Sequence, residues 1–259
     1  DAPGEASFLA DAFTAIRASD CALVVVNAQM GVEVTTQKVW DRCEEAGVAR
    51  AIVVNMLDRD RTDFDQTLAQ LREMSPGCVA VEIPLGHEGD FREMIDLVHM
   101  TATTYAGSPT GTEGEIPADH LAAAQAARER LMDIVAEADD VLIEKYLEGQ
   151  EISTQELIGT LHKGILETRI FPVVCAAAGK DGLGAHRVPD MIVDELPAPP
   201  ELGPWSGVDS ATGEETEIGL HEDGPAIVYV FKTLADQFSG KINLLRVISG
   251  TLASDTQVI

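Results

Sequence analysis

The sequence predicts an α/β fold with a parallel sheet, followed by a separate β-rich segment. Three apolar runs, 21–27, 51–55 and 170–176, do not alternate with polar residues, which predicts strands covered on both faces. A helical pattern lies between the first two runs with short links, so these strands should pair in parallel through a right-handed crossover. After residue 225 apolar and polar residues alternate, which is typical of antiparallel strands.

The elements of the first part follow in chain order. Apolar residues at helical spacing predict an amphipathic helix at 5–19 before the first strand. Thr35 or Thr36 can cap the next helix, and Gly47 ends it before the second strand.

The pattern changes after residue 61. Further elements are predicted in the following order: a helix around 64–71, a strand at 78–84, a loop at 107–117, a helical segment at 119–147, a helix opened by a capping box of Ser153 and Glu156, and a last helix at 187–196. Segment 198–224 is rich in Pro, Gly and acidic residues and is predicted to be a linker. Strands should then flank a turn at Ser239-Gly240.

Composition excludes several classes of protein. The 18 Lys and Arg residues against 44 Asp and Glu give a formal charge of -26 at pH 7, which repels DNA and anionic lipid at long range. No apolar run approaches the roughly 18 residues of a membrane span, and no secretory signal is seen. Four cysteines without a CxxC pair indicate buried thiols of a reducing cytosol. We therefore expect a cytoplasmic protein without a membrane or DNA partner.

Two short motifs point to a guanine nucleotide with Mg²⁺. Asp1 and Gly4 form a DxxG motif before the first helix. At such a position a carboxylate can interact with Mg²⁺, and a glycine amide can donate a hydrogen bond to a terminal phosphate. Asn55 and Asp58 form an NxxD motif after the second strand, where Asn can hold a loop and Asp can pair with the Watson–Crick edge of guanine. Each motif alone also fits a polar turn or cap, but ligands of parallel sheets bind at the carboxyl ends of strands.

Beyond these motifs, the sequence resembles the elongation factor G branch of the translational GTPases over nearly its whole length. DAPGEASF is similar to the family's DTPGHVDF, VVNMLDR to FVNKMDR, and IFPVVCAAAGKDG to the strand and loop before its last G-domain helix. FKTLADQFSGKINLLRVISG resembles the opening of the family's second domain, a β-barrel, and the stretch 80–170 resembles the inserted subdomain that separates this branch from the elongation factor Tu type.

The resemblance implies a domain organisation. A P-loop GTPase-type G domain would be incomplete and comprise 1–60 and 170–197, with an inserted α+β subdomain at 61–169. The linker at 198–224 would lead into the start of β-barrel domain II at 225–259. Because the chain starts at Asp1 without Met or a preceding strand, we expect it to be part of something longer.

The resemblance also implies roles for single residues. Asp1 would contact Mg²⁺ through a water molecule, and the Gly4 amide would donate a hydrogen bond to the γ-phosphate. Asn55 would brace the loops, while the Asp58 carboxylate would accept from two guanine N–H groups that adenine does not offer.

The loop after the third strand would complete the base site. Ala176 and Ala177 would present their backbone amides to the guanine oxygen. Taken without the resemblance, CAAAGK at 175–180 also fits a turn of small residues.

Departures from the family pattern bear on catalysis. Glu5 stands where the family has the His that orients the attacking water, and it places a negative charge there. Met56 replaces the Lys of the family's NKxD motif, which keeps an apolar stem for the base and loses the ammonium. The phosphate loop GxxxxGK[ST] and the first switch Thr are not found in 1–259, so this chain alone should bind GTP poorly and should not hydrolyse it at a useful rate.

Three functions remain open at this point. The first is a GTPase switching on the ribosome, and the second is a non-catalytic or very slow paralogue that reads guanine nucleotide or ribosome state, which Glu5 and Met56 motivate. An unrelated α/β nucleotide enzyme is disfavoured by the insert and the barrel opening. The expected partners are GTP or GDP, Mg²⁺, and the rRNA and proteins of the ribosome, bound by a monomer. Given the acidic charge, the ribosome contacts are either mostly to proteins or made by regions beyond Ile259.

Overall fold

The computed structural model describes residues 1–86, 88–106, 108–238 and 240–256. Its helices are α1 (Leu9–Ile16), α2 (Val34–Glu45), α3 (Phe64–Met74), α4 (Leu121–Ala136), α5 (Asp140–Leu147), α6 (Thr154–Leu166) and α7 (Arg187–Asp194). Its strands are β1 (Cys21–Asn27), β2 (Ala49–Asn55), β3 (Cys78–Ala80), β4 (Glu82–Leu85), β5 (Glu93–Asp96), β6 (Thr101–Thr104), β7 (Thr112–Gly114), β8 (Phe171–Cys175), β9 (Trp205–Val208), β10 (Glu215–Ile218), β11 (Ile227–Asp236) and β12 (Gly240–Ser249). The chain forms two compact units, Cys21–Pro197 and a smaller one of Asp1–Asp20 with Ala198–Ile259.

A parallel sheet organises the larger unit. Its strands lie in the order β1-β2-β8-β3, and each neighbouring pair is parallel. The side chains of Ile52, Val54 and Val173 are fully buried in its core. Continuous apolar runs therefore form the central strands, which confirms the predicted α/β class with a parallel sheet.

The edge strand β1 differs from its prediction. The sequence predicts burial on both faces, but Leu23 and Val25 are 36% and 59% exposed, whereas Val24 and Val26 are buried. Among the described residues β1 pairs with β2 alone, so it lies at the sheet edge with one face covered. An apolar run by itself does not reveal whether both faces find a neighbour.

The predicted strand 78–84 is divided between two sheets at Val81. The Val81 N–H donates to Val173 O at 3.1 Å in the parallel sheet, and the Val81 carbonyl accepts from Leu97 N at 2.9 Å. Consequently β3 pairs with β8, while β4 begins the antiparallel sheet β4-β5-β6-β7. The first strand after residue 61 therefore lies in the parallel sheet and not within the predicted inserted subdomain.

The α+β character of the insert is present in the antiparallel sheet and in helices α4 to α6. The predicted helical segment 119–147 breaks into α4 and α5, because Asp139 caps the second helix through the N–H groups of Val141 and Leu142. The capping box predicted at Ser153 and Glu156 is formed at the start of α6. This helix packs against β2 and β8 and so supports the two central strands.

The smaller unit contains α1 and two antiparallel pairs, β9 with β10 and β11 with β12. The first pair lies inside 198–224, which corrects the prediction of a plain linker there. Its turn is stabilised by the Asp209 carboxylate, which accepts from the N–H groups of Ala211 and Thr212, and by Gly213 at φ 74°. Asp209 and Gly213 of this segment therefore serve the turn of a hairpin. Ser239 of the predicted turn and residues 257–259 lie outside the described residues, and a complete barrel stays a prediction.

Two further predictions concern cysteines and membranes. Cys43, Cys78 and Cys175 are buried free thiols, as expected. Within the described part of the chain, no helix combines the length and apolarity needed to cross a bilayer.

Candidate functional site

The loops that follow β2 and β8 are tied together by the Asn55 side chain. Its Oδ1 atom accepts from the N–H of Met56 at 2.8 Å and from the N–H of Ala178 at 3.0 Å. The Leu57 N–H adds a bond to Ala176 O at 3.2 Å. Asn55 thus braces two loops at the carboxyl ends of neighbouring strands, the position where parallel sheets bind ligands.

We expect the Asn55→Ala variant to lose about 1–3 kcal/mol of unfolding free energy, because two loop N–H groups lose their acceptor. Urea denaturation measures this loss, and hydrogen exchange should accelerate at the amides of Met56 and Ala178. The Asn55→Asp variant keeps an acceptor of the same shape and serves as the control. Unchanged exchange at both amides in Asn55→Ala would refute the bracing role.

A pocket of about 460 Å³ lies beside these loops and is lined by Gln29, Met56, Asp58, Arg59 and Asp60. The Gln29 amide group donates to the Asp60 carbonyl at 2.7 Å, which joins the loop after β1 to the loop after β2. The loops after two neighbouring strands, β1 and β2, therefore line one pocket at the carboxyl ends of the parallel sheet.

Asp58 is the most unusual group in this pocket. Its side chain is only 11% exposed, and its Oδ2 atom lies 3.8 Å from the Arg59 Nε atom. Its Oδ1 atom is buried and has no hydrogen-bond partner among the described residues. A buried carboxylate oxygen without a donor is costly, so a hydrogen bond to this atom would be favourable.

Met56 and Arg59 form the neighbouring wall. Met56 has a φ of 67°, a left-handed conformation that is rare for side chains of this kind, and its side chain is partly exposed. The Arg59 guanidinium lies 4.0 Å from the point that a Cβ atom on Gly179 would occupy. The loop after β8, which we call the base loop (residues 176–180), thus approaches the pocket at Gly179.

The structure corrects the roles predicted for Ala176 and Ala177. Both residues are buried, and their N–H groups already donate to Val54 O and Leu183 O at 2.9 Å. The sheet continues one bond beyond β8, and the bridge to Leu183 closes the loop behind it. The Ala178 N–H donates to Asn55 Oδ1, so the next N–H of the loop without a bond to a described residue is that of Gly179. The sequence alone did not point to Gly179.

The residues predicted at the N-terminus belong to the smaller unit. Asp1, Gly4 and Glu5 are all exposed. Glu5 has an extended backbone and precedes a short 3₁₀ turn at Ala6–Phe8, without a capping bond from its side chain. A Cβ atom on Gly4 would meet no described atom within 4 Å, so packing does not require glycine there. The predicted roles of these three residues stay predictions.

The described residues do not build a metal site by themselves. No group of three or more His, Cys, Asp or Glu side chains is placed to hold an ion within the described ranges. Asp1, the predicted Mg²⁺ residue, therefore has no cluster of further protein ligands around it in this part of the chain.

Comparison with known proteins decides the family. The model of the elongation factor Tu GTP-binding domain matches residues 1–198. The chain belongs to this family. The family binds guanine nucleotides, and the match confirms that the chain is related to the translational GTPases, as its motifs predicted.

A solved structure supports the same fold for this translational GTPase domain. The crystal structure of ttk003000868 from Thermus thermophilus is 31% identical in sequence, with a TM-score of 0.78. The match covers 96% of the present chain and 35% of the Thermus chain. The chain thus spans about a third of the length of that relative.

Asn55 and Asp58 were predicted from the sequence and stay predictions, whereas Gln29 and Gly179 come from the structure alone. Gln29 lies just after the first strand. Its position after a strand end was the sequence feature that could have identified it as a pocket residue. Gly179 carries no such signal, because the choice among four successive small residues depends on which N–H groups the sheet already uses.

Proposed function

We propose that this chain provides the guanine-binding part of an elongation factor G-like translational GTPase. In this proposal the intact protein binds GTP and GDP with Mg²⁺ in the cytoplasm and couples GTP hydrolysis to conformational switching on the ribosome. The observation that carries the proposal is the buried Oδ1 atom of Asp58, which has no hydrogen-bond partner among the described residues, in a pocket beside the braced loops. The family match supports the choice of nucleotide.

The donor pattern of guanine fits this carboxylate. Guanine offers an N1–H and an exocyclic amino group side by side, and an ionised carboxylate has two acceptor oxygens at matching spacing. Adenine has no hydrogen on N1 and would leave the Asp58 carboxylate without that donor. A site built around a buried acceptor rejects such an analogue strongly, because desolvation is then not compensated.

Neighbouring residues complete the proposed base site. Asn55 positions both loops, Met56 supplies apolar contact to the base, and the Gly179 N–H takes the role of donor to the guanine oxygen. Arg59 lies beside Asp58 and adds a cation at the pocket rim. We retain the predicted G domain, insert and start of domain II, with β3 assigned to the G domain together with the parallel sheet and with the β9-β10 hairpin inside 198–224.

A second candidate function follows from Glu5. A carboxylate near the γ-phosphate would repel it and would not orient water as the family His does, so a non-catalytic ribosome-binding module is the alternative. The exposed position of Glu5, without a capping bond, leaves its side chain unconstrained within the smaller unit.

Phosphate release by the full-length protein with ribosomes distinguishes the two candidates. We expect slow turnover for the natural protein and a rise of about tenfold or more for Glu5→His, since water orientation contributes orders of magnitude. Turnover that is lost in Asp58→Ala would support the GTPase. Guanine-dependent ribosome binding without turnover, in both the natural protein and Glu5→His, would support the binding module. Failure to distinguish GTP from ATP in any assay would contradict both.

A further inference from the structure

Two buried carboxylates and one mostly buried guanidinium lie together beside the end of β8, and we call them the buried triad: Glu82, Arg187 and Glu195. The Arg187 Nε atom lies 3.1 Å from Glu82 Oε1, and its Nη2 atom pairs with Glu195 Oε1. The side chains of Glu82 and Glu195 are 5% and 8% exposed. Glu82 begins β4, whereas the other two lie at the ends of α7, so the triad connects the antiparallel sheet to the last helix.

The triad also holds the strand that leads into the base loop. Glu82 Oε2 accepts from the N–H of Cys175 at 3.3 Å, and the Cys175 Sγ atom lies 3.8 Å from Glu82 O. Cys175 is the last residue of β8 and directly precedes the base loop. On its other side, Gly184 packs so closely that a Cβ atom there would lie 2.4 Å from Cys175 O. The end of β8 is therefore fixed between Glu82 and Gly184.

The charges of the triad do not balance. Two carboxylates share one guanidinium, and Glu195 Oε2 is buried without a partner among the described residues. Burial raises the pKa of Glu82 to about 7, against the opposing effects of Arg187 and of the bond from Cys175 N–H. Burial likewise raises the pKa of Glu195, with Arg187 opposing it.

Other titratable groups face the triad from the surrounding elements. They are Asp96 at the end of β5, Tyr105 after β6, Cys175 in β8 and Asp194 in α7, and the cavity beside the triad is also lined by His99, Glu113, His186 and Asp190. The acidic neighbours Asp96 and Asp194 disfavour a second negative charge in the triad, so one of its carboxyl groups keeps its proton to a higher pH than an exposed carboxyl group does.

We propose that Glu82 is a positioning residue for the base loop, and that the charge of the buried triad sets how firmly this loop holds guanine. The proposal rests on the proposed function. When Glu82 is ionised, its bond to the Cys175 N–H is charge-assisted and its carboxylate attracts the Arg187 guanidinium, so the start of the base loop is held firmly. When Glu82 is protonated, both interactions weaken, and the position of the Gly179 N–H becomes less fixed.

The test uses the chain 1–259 and GDP, titrated by NMR at pH 6, 7 and 8. For the natural sequence we expect the affinity for GDP to rise about three- to tenfold from pH 6 to pH 8. A change of this size is expected when binding is coupled to the release of one proton. Glu82→Gln, which keeps the shape and a neutral acceptor, should bind with the same affinity at all three pH values. Glu151→Gln makes the same chemical change at an exposed position and should follow the natural sequence.

A second readout needs no nucleotide. The amide shifts of Ala178 and Gly179 in the free chain should titrate near pH 7 in the natural sequence and in Glu151→Gln, and not in Glu82→Gln. Glu195→Gln, which removes one neighbouring carboxylate, should move this titration to lower pH and serves if Glu82→Gln fails to fold. An unchanged titration in Glu82→Gln or Glu195→Gln, or its absence in the natural sequence, overturns the proposal.

The two proposals can fail separately. If GDP is preferred over ADP but affinity does not change with pH, the positioning proposal fails and the proposed function stands. If GDP is not preferred, the proposed function fails, and the amide titration still decides whether Glu82 positions the loop.

Discussion

Replacing Asp58 with asparagine is expected to weaken GDP binding by about a hundredfold and to abolish the preference for guanine over adenine. Asn keeps one acceptor oxygen but places an NH₂ group where the second oxygen was, so a donor would face a guanine donor. The Oδ1 atom of Asp58 is buried and has no partner among the described residues, so replacing it should lower the affinity for GDP most. The loss is large because a charge-assisted pair is replaced by a repulsive contact within a mostly buried side-chain environment.

The measurement compares GDP with ADP, titrated at high concentration into the chain 1–259, because without a GxxxxGK[ST] loop in this sequence binding is expected to be weak. Asp41→Asn is the matched control, since Asp41 lies exposed on α2 and bonds only the nearby Gln37 among the described residues. The natural sequence and Asp41→Asn should prefer GDP. Equal guanine preference in Asp58→Asn would exclude Asp58 as the residue that reads the base.

Replacing Arg187 with methionine is expected to cost about 3–5 kcal/mol of unfolding free energy at pH 7, because two buried carboxylates lose their shared cation. The cost should be smaller at pH 5 than at pH 8. In the folded state burial raises the pKa of Glu82 from its ordinary value of 4.5 to about 7, so the folded state binds the proton more tightly than the unfolded state. Stability from this group is therefore fully present below the unfolded pKa and is lost as the pH rises through the folded pKa, with a slope of up to about 1.4 kcal/mol per pH unit.

Without Arg187 the pKa of Glu82 should rise further, and the loss of stability should extend to higher pH. Urea denaturation at pH 5, 7 and 8 measures the profile. Arg42→Met, which removes an exposed ion pair with Glu45 on α2, should change stability by less than about 1 kcal/mol at each pH. The double variant Glu82→Gln with Arg187→Met should recover part of the loss. Equal destabilisation at all three pH values would show that lost packing, and not the charge of the triad, causes the effect.

Much of the fold was predictable because local patterns and global topology agree. The apolar runs at 51–55 and 170–176 became the two central parallel strands, and the capping box of Ser153 and Glu156 formed at the predicted helix start. Predictions failed where a pattern has two physical outcomes. The apolar strand β1 became an edge strand, and the Pro- and Gly-rich segment 198–224 became a hairpin, because neighbours and turn bonds decide between these outcomes.

The candidate site shows the same division. Asn55 and Asp58 were predictable because they directly follow a strand whose end must lie at the ligand edge of a parallel sheet. Gly179 was not, because the sequence does not reveal that the amides of Ala176 to Ala178 are already bonded. The buried triad was also beyond sequence reasoning, since Glu82 and Arg187 lie far apart in the chain.

The sequence by itself determined the family, the parallel sheet and the residues of the NxxD motif, because hydrophobic periodicity and short motifs depend on residues close together in the chain. Only the tertiary structure decided which backbone amide of the described base loop remains unbonded, that the Asp58 Oδ1 atom is buried without a donor among the described residues, and which carboxylates must share Arg187. These properties depend on burial and on hydrogen bonds between distant segments, and they exist only once β2, β8, β4 and α7 have packed together.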